Sequence, residues 1–402
     1  MFKFLHTADL HLGKIFHEQS LREDQAVMLD ELASVLEKGS YAALVIAGDV
    51  YDRSIPSPEA VDLFSSFLER VKNINPSPEV LVIPGNHDSA ARLGFGKELF
   101  SRLGLYFGVS AEDCDKPVIL EQNGEKCAFF LLPFLNSGDL NGQDKEDANK
   151  FIPLRSQAAL AEEAAGRMEM ARKKLCEEGI TRSVLVSHIF ASGGKDSGSE
   201  RVFLGQAELV NTSLFKGFDY IAMGHLHRCQ QIGENGWYSG SPLSYSFGEV
   251  SQAKEAEKFF LSVEFKKGKA HIEKIPVKPL HELASFSGPF ARFASDSCDP
   301  ELEAAKNDYL EINLTDRGLT ENAGDMLRRR FPLLLSLRQS EAFAELSSLK
   351  GARATLSGNR DRQNISADFK TFLEDLYGKA DEDELELFNT LLAEIETGES
   401  SS

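Results

Sequence analysis

Short apolar runs alternate along the chain with longer stretches in which apolar positions recur every three or four residues. Runs at 2–5, 42–47 and 80–83 read as strands, and the stretches 22–37 and 58–72 between them read as helices, giving a β-α-β-α-β start. In the first helix Val27, Leu29, Leu32, Val35 and Leu36 share the periodic face, and Gly39 stops it. A hairpin is expected from Val118–Leu120 and Cys127–Leu132, turning at Asn123-Gly124. A polar stretch at 136–150 reads as loop, and the Ala-, Glu- and Lys-rich stretch 155–178 as a long helix leading into a strand at Ser183–Ser187. The segment 191–206 carries too much Gly and Ser for regular structure and is expected to be a loop beside the site. Strands near 219–223 and 237–239 follow, and then a hairpin of Phe259–Phe265 and Ala270–Ile275 that turns at Lys267-Gly268.

The texture changes after Pro276 and Pro279. Strand-like Tyr309–Leu314, a helix at 321–330 and strand-like Leu333–Leu337 form a small α+β module. A polar linker follows. Phe369, Phe372, Leu373, Leu376 and Tyr377, then Leu385, Phe388, Leu392 and Ile395, mark two amphipathic helices whose apolar faces must be buried on something. The expected organisation is therefore a main domain at 1–275, a capping module at 276–346, a linker at 347–365 and C-terminal helices at 366–402.

Composition narrows the function. The 402 residues carry 63 acidic and 44 basic side chains, a net charge of -19, which argues against binding through a broadly basic surface. Any nucleic-acid contact must be local or metal-assisted. The five cysteines (Cys114, Cys127, Cys176, Cys229, Cys298) are widely spaced with no CxxC, so they read as reduced thiols of a cytoplasmic protein rather than a disulfide framework. The start MFKFLHTADLH leaves no room for a signal peptide, and no stretch approaches the ~20 apolar residues of a membrane span.

The chemistry is carried by five clusters, each directly after a strand-like run: DLH (9–11), GDVYD (48–52), GNHD (85–88), SH (187–188) and GHLH (224–227). They supply Asp9, His11, Asp49, Asn86, His188, His225 and His227. An open α/β sheet gathers residues from the carboxyl ends of its strands into one crevice, so these scattered groups can meet. A phosphodiester resists attack because it is anionic, and two cations about 3.5 to 4 Å apart neutralise it, align it and acidify a water. Mixed carboxylate, imidazole and carboxamide donors suit manganese or iron, whereas thiolates would indicate zinc. Asp9 and His11, two residues apart at a strand end, can face one ion; Asp49 has two oxygens and can bridge both. Gly48, Gly85 and Gly224 precede ligand residues where tight backbone turns are needed. His87, next to Asn86, is placed to protonate the departing oxygen, and Asp52 could hold its other ring nitrogen. Lys14, Arg53 and Arg92 adjoin the clusters and are candidates for phosphate contact, with surface ion pairing as the competing reading.

The wording TADLHLGK, AGDVYDRSIPSPEA, PGNHDSAARL and FDYIAMGHLHRCQ resembles the SbcD family of Mre-type nucleases in the calcineurin-like metallophosphoesterase superfamily, over roughly residues 1–275. The resemblance implies an α/β fold with a four-layer β-sandwich flanked by helices, a small α+β cap that binds DNA and a C-terminal helical pair. It also implies that Asp9, His11, Asp49 and His227 hold one Mn2+ and Asp49, Asn86, His188 and His225 the other, with His87 as general acid. The family acts on DNA ends and hairpins as a 3'-5' exonuclease and endonuclease in repair and recombination. It works with an SMC-like ATPase that grips the C-terminal helices, here 366–397, and as a homodimer, here through 58–72 and the segment beyond Ser89. Two rival readings are a phosphoesterase for nucleotides or phosphoproteins and a non-catalytic scaffold of the same fold. The extra C-terminal units argue against the first, and seven filled ligand positions against the second.

Overall fold

The computed structural model describes residues 1–143, 151–195, 209–250, 257–295, 299–316 and 322–339, together with Phe369, Lys370, Leu385, Phe388 and Asn389. The first sheet is built from β1 (Phe2–Thr7), β2 (Ala43–Ala47), β3 (Glu79–Ile83) and β4 (Leu105–Phe107), with α1 (Arg22–Lys38) and α2 (Pro58–Lys72) as the crossovers. The second sheet contains β5 (Val118–Gln122), β6 (Glu125–Leu132), β7 (Arg182–His188), β8 (Tyr220–Gly224), β9 (Gln230–Ile232) and β10 (Gly236–Tyr238), with α3 (Gln157–Glu177) leading into β7. A closing hairpin, β11 (Phe259–Lys266) and β12 (Lys269–Pro276), returns to the first sheet and sets β11 antiparallel to β1. The strand orders are β12-β11-β1-β2-β3-β4 and β9-β10-β8-β7-β6-β5.

The two sheets pack face to face because their central strands are apolar on both sides. Alternate residues of β1 and β2 (Phe2, Phe4, Ala43, Val45) meet Phe129, Val184, Val186 and Tyr220 of the second sheet. The intervening Leu5, Leu44 and Ile46 face Met28, Leu29, Leu32 and Phe64 of the helices. On the far side Phe130, Leu185 and Ile221 cover Leu160, Ala161, Ala164 and Met168 of α3. The result is four layers, helix, sheet, sheet, helix, as the sequence implied. Ser57 caps α2 by accepting from Ala60 N–H, with Pro58 in the first turn, and Ser156 caps α3 in the same way.

Register places the chemistry. Strands β1, β2 and β3 run parallel with Thr7 opposite Ile46 and Ala47 opposite Ile83, so the residues after each emerge at one edge. In the second sheet His188 lies opposite Gly224 on parallel strands.

Some expectations shift locally. The stretch 136–150, expected as loop, contributes Asn141–Gln143, which pairs antiparallel with Phe151–Pro153; so short a pairing leaves no apolar period to read. The helix expected at 321–330 begins at Ala323. A strand at Leu283–Gly288, whose Ser and Gly hid it, joins Tyr309–Leu314 and Leu334–Gln339 in a three-stranded sheet. Of the expected loop at 191–206, residues 196–206 lie outside the described residues.

By internal contacts, Met1–Ser287, Ala291–Asn313 and Asn322–Leu337 form one compact unit. Within it buried Asp24 on α1 accepts from Tyr309 OH (2.7 Å) and lies 3.0 Å from His281 Nδ1. The second unit comprises Gly288–Phe290, Leu314–Glu321 and Arg338–Ser402. There the rings of Phe369 and Phe388, one from each expected C-terminal helix, stack at 3.9 Å. The expected linker at 347–365 and the rest of 366–402 lie outside the described residues. Among the described residues no helix is long and apolar enough to cross a membrane.

Candidate metal centre

All five clusters converge at the carboxyl edge of the two sheets. The loops after β1 and β2 continue as paired backbone: Asp9 N–H donates to Gly48 O (3.0 Å), His11 N–H to Asp49 O (3.0 Å) and Leu12 N–H to Val50 O (2.9 Å). Asp9, His11, Asp49 and His225 all adopt positive φ (55°, 45°, 50° and 103°). Such backbone costs on the order of 1–3 kcal/mol per non-glycine residue and gathers at functional sites. Here it turns the four side chains inward. Gly48 is left-handed too (φ +93°), and a Cβ there would strike the His188 ring; Gly85 has ordinary φ but no room, because a Cβ would strike Asp49.

The expected metal donors fall into two overlapping groups. Asp9, His11 and His227 bring one ligand atom each within 4.8 Å of one another, and so do Asp9, Asp49 and His188; a third set, His11, Asp52 and His87, lies as close. His11 Nε2 lies 3.1 Å from His227 Nε2. Asn86 Oδ1 lies 3.0 Å from His188 Nε2 and 3.1 Å from His225 Nδ1. Asp49 Oδ2 stands between the groups, 3.7 Å from His11 Nε2 and 3.4 Å from His188 Nε2. His188 Nδ1 donates to Ala47 O (2.9 Å), so in the neutral ring Nε2 is a bare lone pair aimed at the Asn86 and Asp49 oxygens.

Burial sharpens this convergence. His11 and His225 are pushed down to about 4 and about 3 by loss of water, which holds them neutral, the form that ligates metal. Asp9 is pushed up to about 7, chiefly by burial and against the pull of His188 and His227. Burial opposes charge on His188 as well, but the carboxylates of Asp49 and Asp9 outweigh it and raise the ring to about 9. In the metal-free pocket a proton on His188 Nε2 meets the Asn86 and Asp49 oxygens, and a cation would displace it and take the same lone pairs.

The calcineurin-like phosphoesterase family matches residues 2–229. The D subunit of the SbcCD nuclease from Staphylococcus epidermidis is 32% identical over 365 residues, which is 89% of this chain and 92% of the relative. Its counterpart of the same description from Staphylococcus saprophyticus is 32% identical over 338 residues, 83% of this chain and 84% of the relative. The chain belongs to the SbcD family of calcineurin-like phosphoesterases. Among solved structures, a dimetal phosphatase from Danio rerio has a TM-score of 0.40 at 15% identity, covering 69% of this chain and 99% of its own. The protein TT1561 of Thermus thermophilus has a TM-score of 0.36 at 12% identity, covering 68% and 98%. The metallophosphoesterase fold of the SbcD family implies divalent metal ions, and the donors gathered here fit them.

His87 of this SbcD-family chain is half-buried beside the donors, its ring 4.7 Å from that of His11. Its backbone N–H donates to Asp49 Oδ1 (2.9 Å) and its Nδ1 to the backbone carbonyl of Asp52 (2.8 Å). This corrects the expected part of Asp52. Its carboxylate instead takes Lys14 Nζ (2.8 Å) and lies 3.5 Å from His11 Nδ1. Burial notwithstanding, His11 and Lys14 hold that carboxyl down at about 2. Lys14 is thus already paired; Arg53 is exposed yet has its Nε 3.9 Å from Asp52 Oδ2, and Arg92 is exposed.

Three supporting residues escaped the sequence reading. Asp88 accepts from Val50 N–H (3.0 Å), Tyr51 N–H (2.9 Å) and Gly85 N–H (3.0 Å), tying the Asp49 loop to the Asn86 loop. The GNHD cluster displayed it without assigning it work. Gln25 on α1 donates to His11 O (2.7 Å) and accepts from Gly13 N–H (2.9 Å). Glu249 is buried 3.9 Å from His227 Nδ1, in a segment with no motif to announce it. His6, outside the clusters, is a buried histidine 3.0 Å from Tyr220 OH.

Proposed function

We propose that this chain is the manganese-dependent nuclease subunit of an SbcCD-type complex, hydrolysing DNA phosphodiester bonds as a 3'-5' exonuclease on duplex ends and an endonuclease on hairpins and single strands. The observation that carries the reading is the pair of donor groups that meet at Asp9, with Asp49 Oδ2 between them and His87 at their rim. In this reading Asp9, His11, Asp49 and His227 hold one ion, and Asp49, Asn86, His188 and His225 the other. Two divalent cations, taken here as Mn2+, would neutralise the phosphodiester and make water a competent nucleophile. His87 would give its Nε2 proton to the leaving oxygen while Asp52 O keeps the ring oriented through Nδ1. Arg53 and Arg92 lie exposed where phosphates of a longer strand would pass; Lys14, neutralised by Asp52, would meet a phosphate only by leaving that pair.

The same reading has the chain act as a homodimer with an SMC-like ATPase, the latter gripping the C-terminal helices, and places it in the cytoplasm. Apolar Phe95 (80% exposed), Leu99 and Leu103 lie open to solvent in the segment beyond Ser89, which supports pairing there. Cys114 and Cys127 are buried and unbridged, as in a reducing compartment. The domains proposed are the nuclease domain at 1–275, a DNA-binding cap at 276–346, a linker at 347–365 and the docking helices at 366–402. The test is digestion of linear duplex DNA, beside a small phosphodiester, with and without MnCl2. Cleavage of both substrates only with the metal is expected; turnover of the small ester while DNA stays intact in the presence of the ATPase would overturn the nuclease reading.

A further inference from the structure

Glu249 is a buried charge and Lys258 a half-buried one, both outside every ligand cluster, and both reach one residue, His227: Glu249 faces its ring and Lys258 its backbone. Lys258 Nζ donates to the backbone carbonyl of His227 (3.1 Å), to Ser241 Oγ (3.0 Å) and to Glu249 Oε2 (2.5 Å). The other oxygen, Glu249 Oε1, accepts from Tyr245 N–H (3.1 Å) and faces His227 Nδ1 at 3.9 Å, about 1 Å beyond hydrogen-bond length. On the opposite side of the same ring, His227 Nε2 faces His11 Nε2. Tyr245, whose backbone Glu249 holds, donates its hydroxyl to Leu10 O, between the ligands Asp9 and His11. Burial disfavours the Glu249 charge, yet Lys258 and His227 hold it well below the usual carboxylate range.

A ligating histidine needs its second nitrogen to carry the proton, and a carboxylate beside that nitrogen fixes both tautomer and ring angle. We propose that Glu249, anchored by Lys258, is the positioning residue for His227, keeping Nδ1 protonated and Nε2 turned toward the donor group of Asp9 and His11. A buried ion pair is a poor source of net stability, so an orienting task gives a reason for this one to sit here. The inference rests on the metal reading above. It adds a residue that acts only through His227, and so on one of the two sites.

Mn2+ titration by calorimetry and electron paramagnetic resonance, on full-length wild type, Glu249→Gln, His227→Ala and the double variant, tests it. Wild type is expected to bind two ions; Glu249→Gln, which keeps the shape, should weaken one site by about 10- to 100-fold and leave the other unchanged. In the His227→Ala background Glu249→Gln should do nothing further, because its only route is gone. The metal-free Glu249→Gln variant should melt below the wild type, because Lys258 loses its carboxylate, so the split between the two sites is the measurement that decides. Wild type that takes up no Mn2+ overturns the metal reading itself. Wild type with two ions and Glu249→Gln with equal affinity at both overturns this inference alone, and so does weakening of both sites alike, the mark of a merely structural ion pair. Should Glu249→Gln not fold, Glu249→Asp, which keeps the charge, replaces it, with one-site weakening expected and an unchanged pair of affinities overturning the proposal.

Discussion

His87 is oriented by the backbone of Asp52 and not by its side chain: the ring Nδ1 donates to the Asp52 carbonyl at 2.8 Å. A carbonyl can only accept, so Nδ1 keeps its hydrogen and Nε2 is the nitrogen left to exchange a proton in the role proposed for His87. His87→Ala removes that proton donor while touching none of the metal donors. We expect kcat on duplex DNA to fall about 10^2- to 10^4-fold with Mn2+ content unchanged. Metal analysis beside single-turnover kinetics checks it, and loss of the ions in this variant would remove His87 from the role.

The same relationship separates two readings of Asp52. Asp52→Asn keeps the carbonyl on His87 but discharges the partner of Lys14 and His11. The variant should lower metal affinity at the His11 site, while at saturating Mn2+ its kcat on duplex DNA stays near wild type because His87 keeps its carbonyl partner. A fallen kcat at saturating Mn2+ with unchanged metal binding would show that the carboxylate, after all, serves His87.

How much of this was legible depends on whether a residue works through its type or its surroundings. The donor set could be read because Asp, His and Asn directly after apolar runs are unusual and parallel strands end at one edge, as Ala47 opposite Ile83 now shows. The left-handed backbone of Asp9, His11 and Asp49 was not legible, since glycine is the usual signal and these residues are not glycine. Nor was the Asp52 carbonyl, because every residue owns one. Glu249 lies beyond the last cluster, and only the return of Lys258 at the head of β11 brings its partner to it. The strand at Leu283–Gly288 was hidden by composition, with Ser and Gly in place of β-branched residues.

Removing the metals should give stability a defined slope with pH. His188 is raised to about 9 against 6.5 unfolded, so the folded metal-free protein binds the extra proton and the resulting stability is lost as pH rises from 6.5 through 9. Asp9 and Asp88, both raised to about 7 chiefly by burial, act in the same direction from about 4 to 7. His6, His11 and His225, lowered to about 3, 4 and 3, act oppositely, but only below 6.5. The sign is therefore clean between pH 7 and 8.5. Chelator-treated protein should melt lower at 8.5 than at 7, and His188→Gln should flatten the trend. A melting temperature that rises over that interval would contradict the electrostatics described here.

Asp49→Ala is expected to empty both ion sites at once, because its Oδ2 lies within 4 Å of donors in each group. Plasma mass spectrometry of the purified variant reads this directly. One ion retained at full occupancy would assign Asp49 to a single site.

Asp88 gives a prediction that does not touch the donors at all. Its Oδ2 takes Val50 N–H and Gly85 N–H, and its Oδ1 takes Tyr51 N–H, so one carboxylate satisfies three backbone donors of two different ligand loops. Each donor stranded without an acceptor costs about 1–3 kcal/mol, and Asp88→Ala strands three. The loops that carry Asp49 and Asn86 would then part, and both groups of donors would loosen because Asp49 serves both. We expect Asp88→Ala to lower the melting temperature and weaken Mn2+ binding at both sites, in contrast to the one-site effect of Glu249→Gln. Asp88→Asn keeps one carbonyl oxygen, enough for the Val50 and Gly85 donors but not for Tyr51, so its loss should be the smaller of the two. Calorimetry on both variants decides: an alanine variant with wild-type melting and affinity would mean that the loops hold their shape through the backbone pairing of Asp9 to Leu12 with Gly48 to Val50 alone.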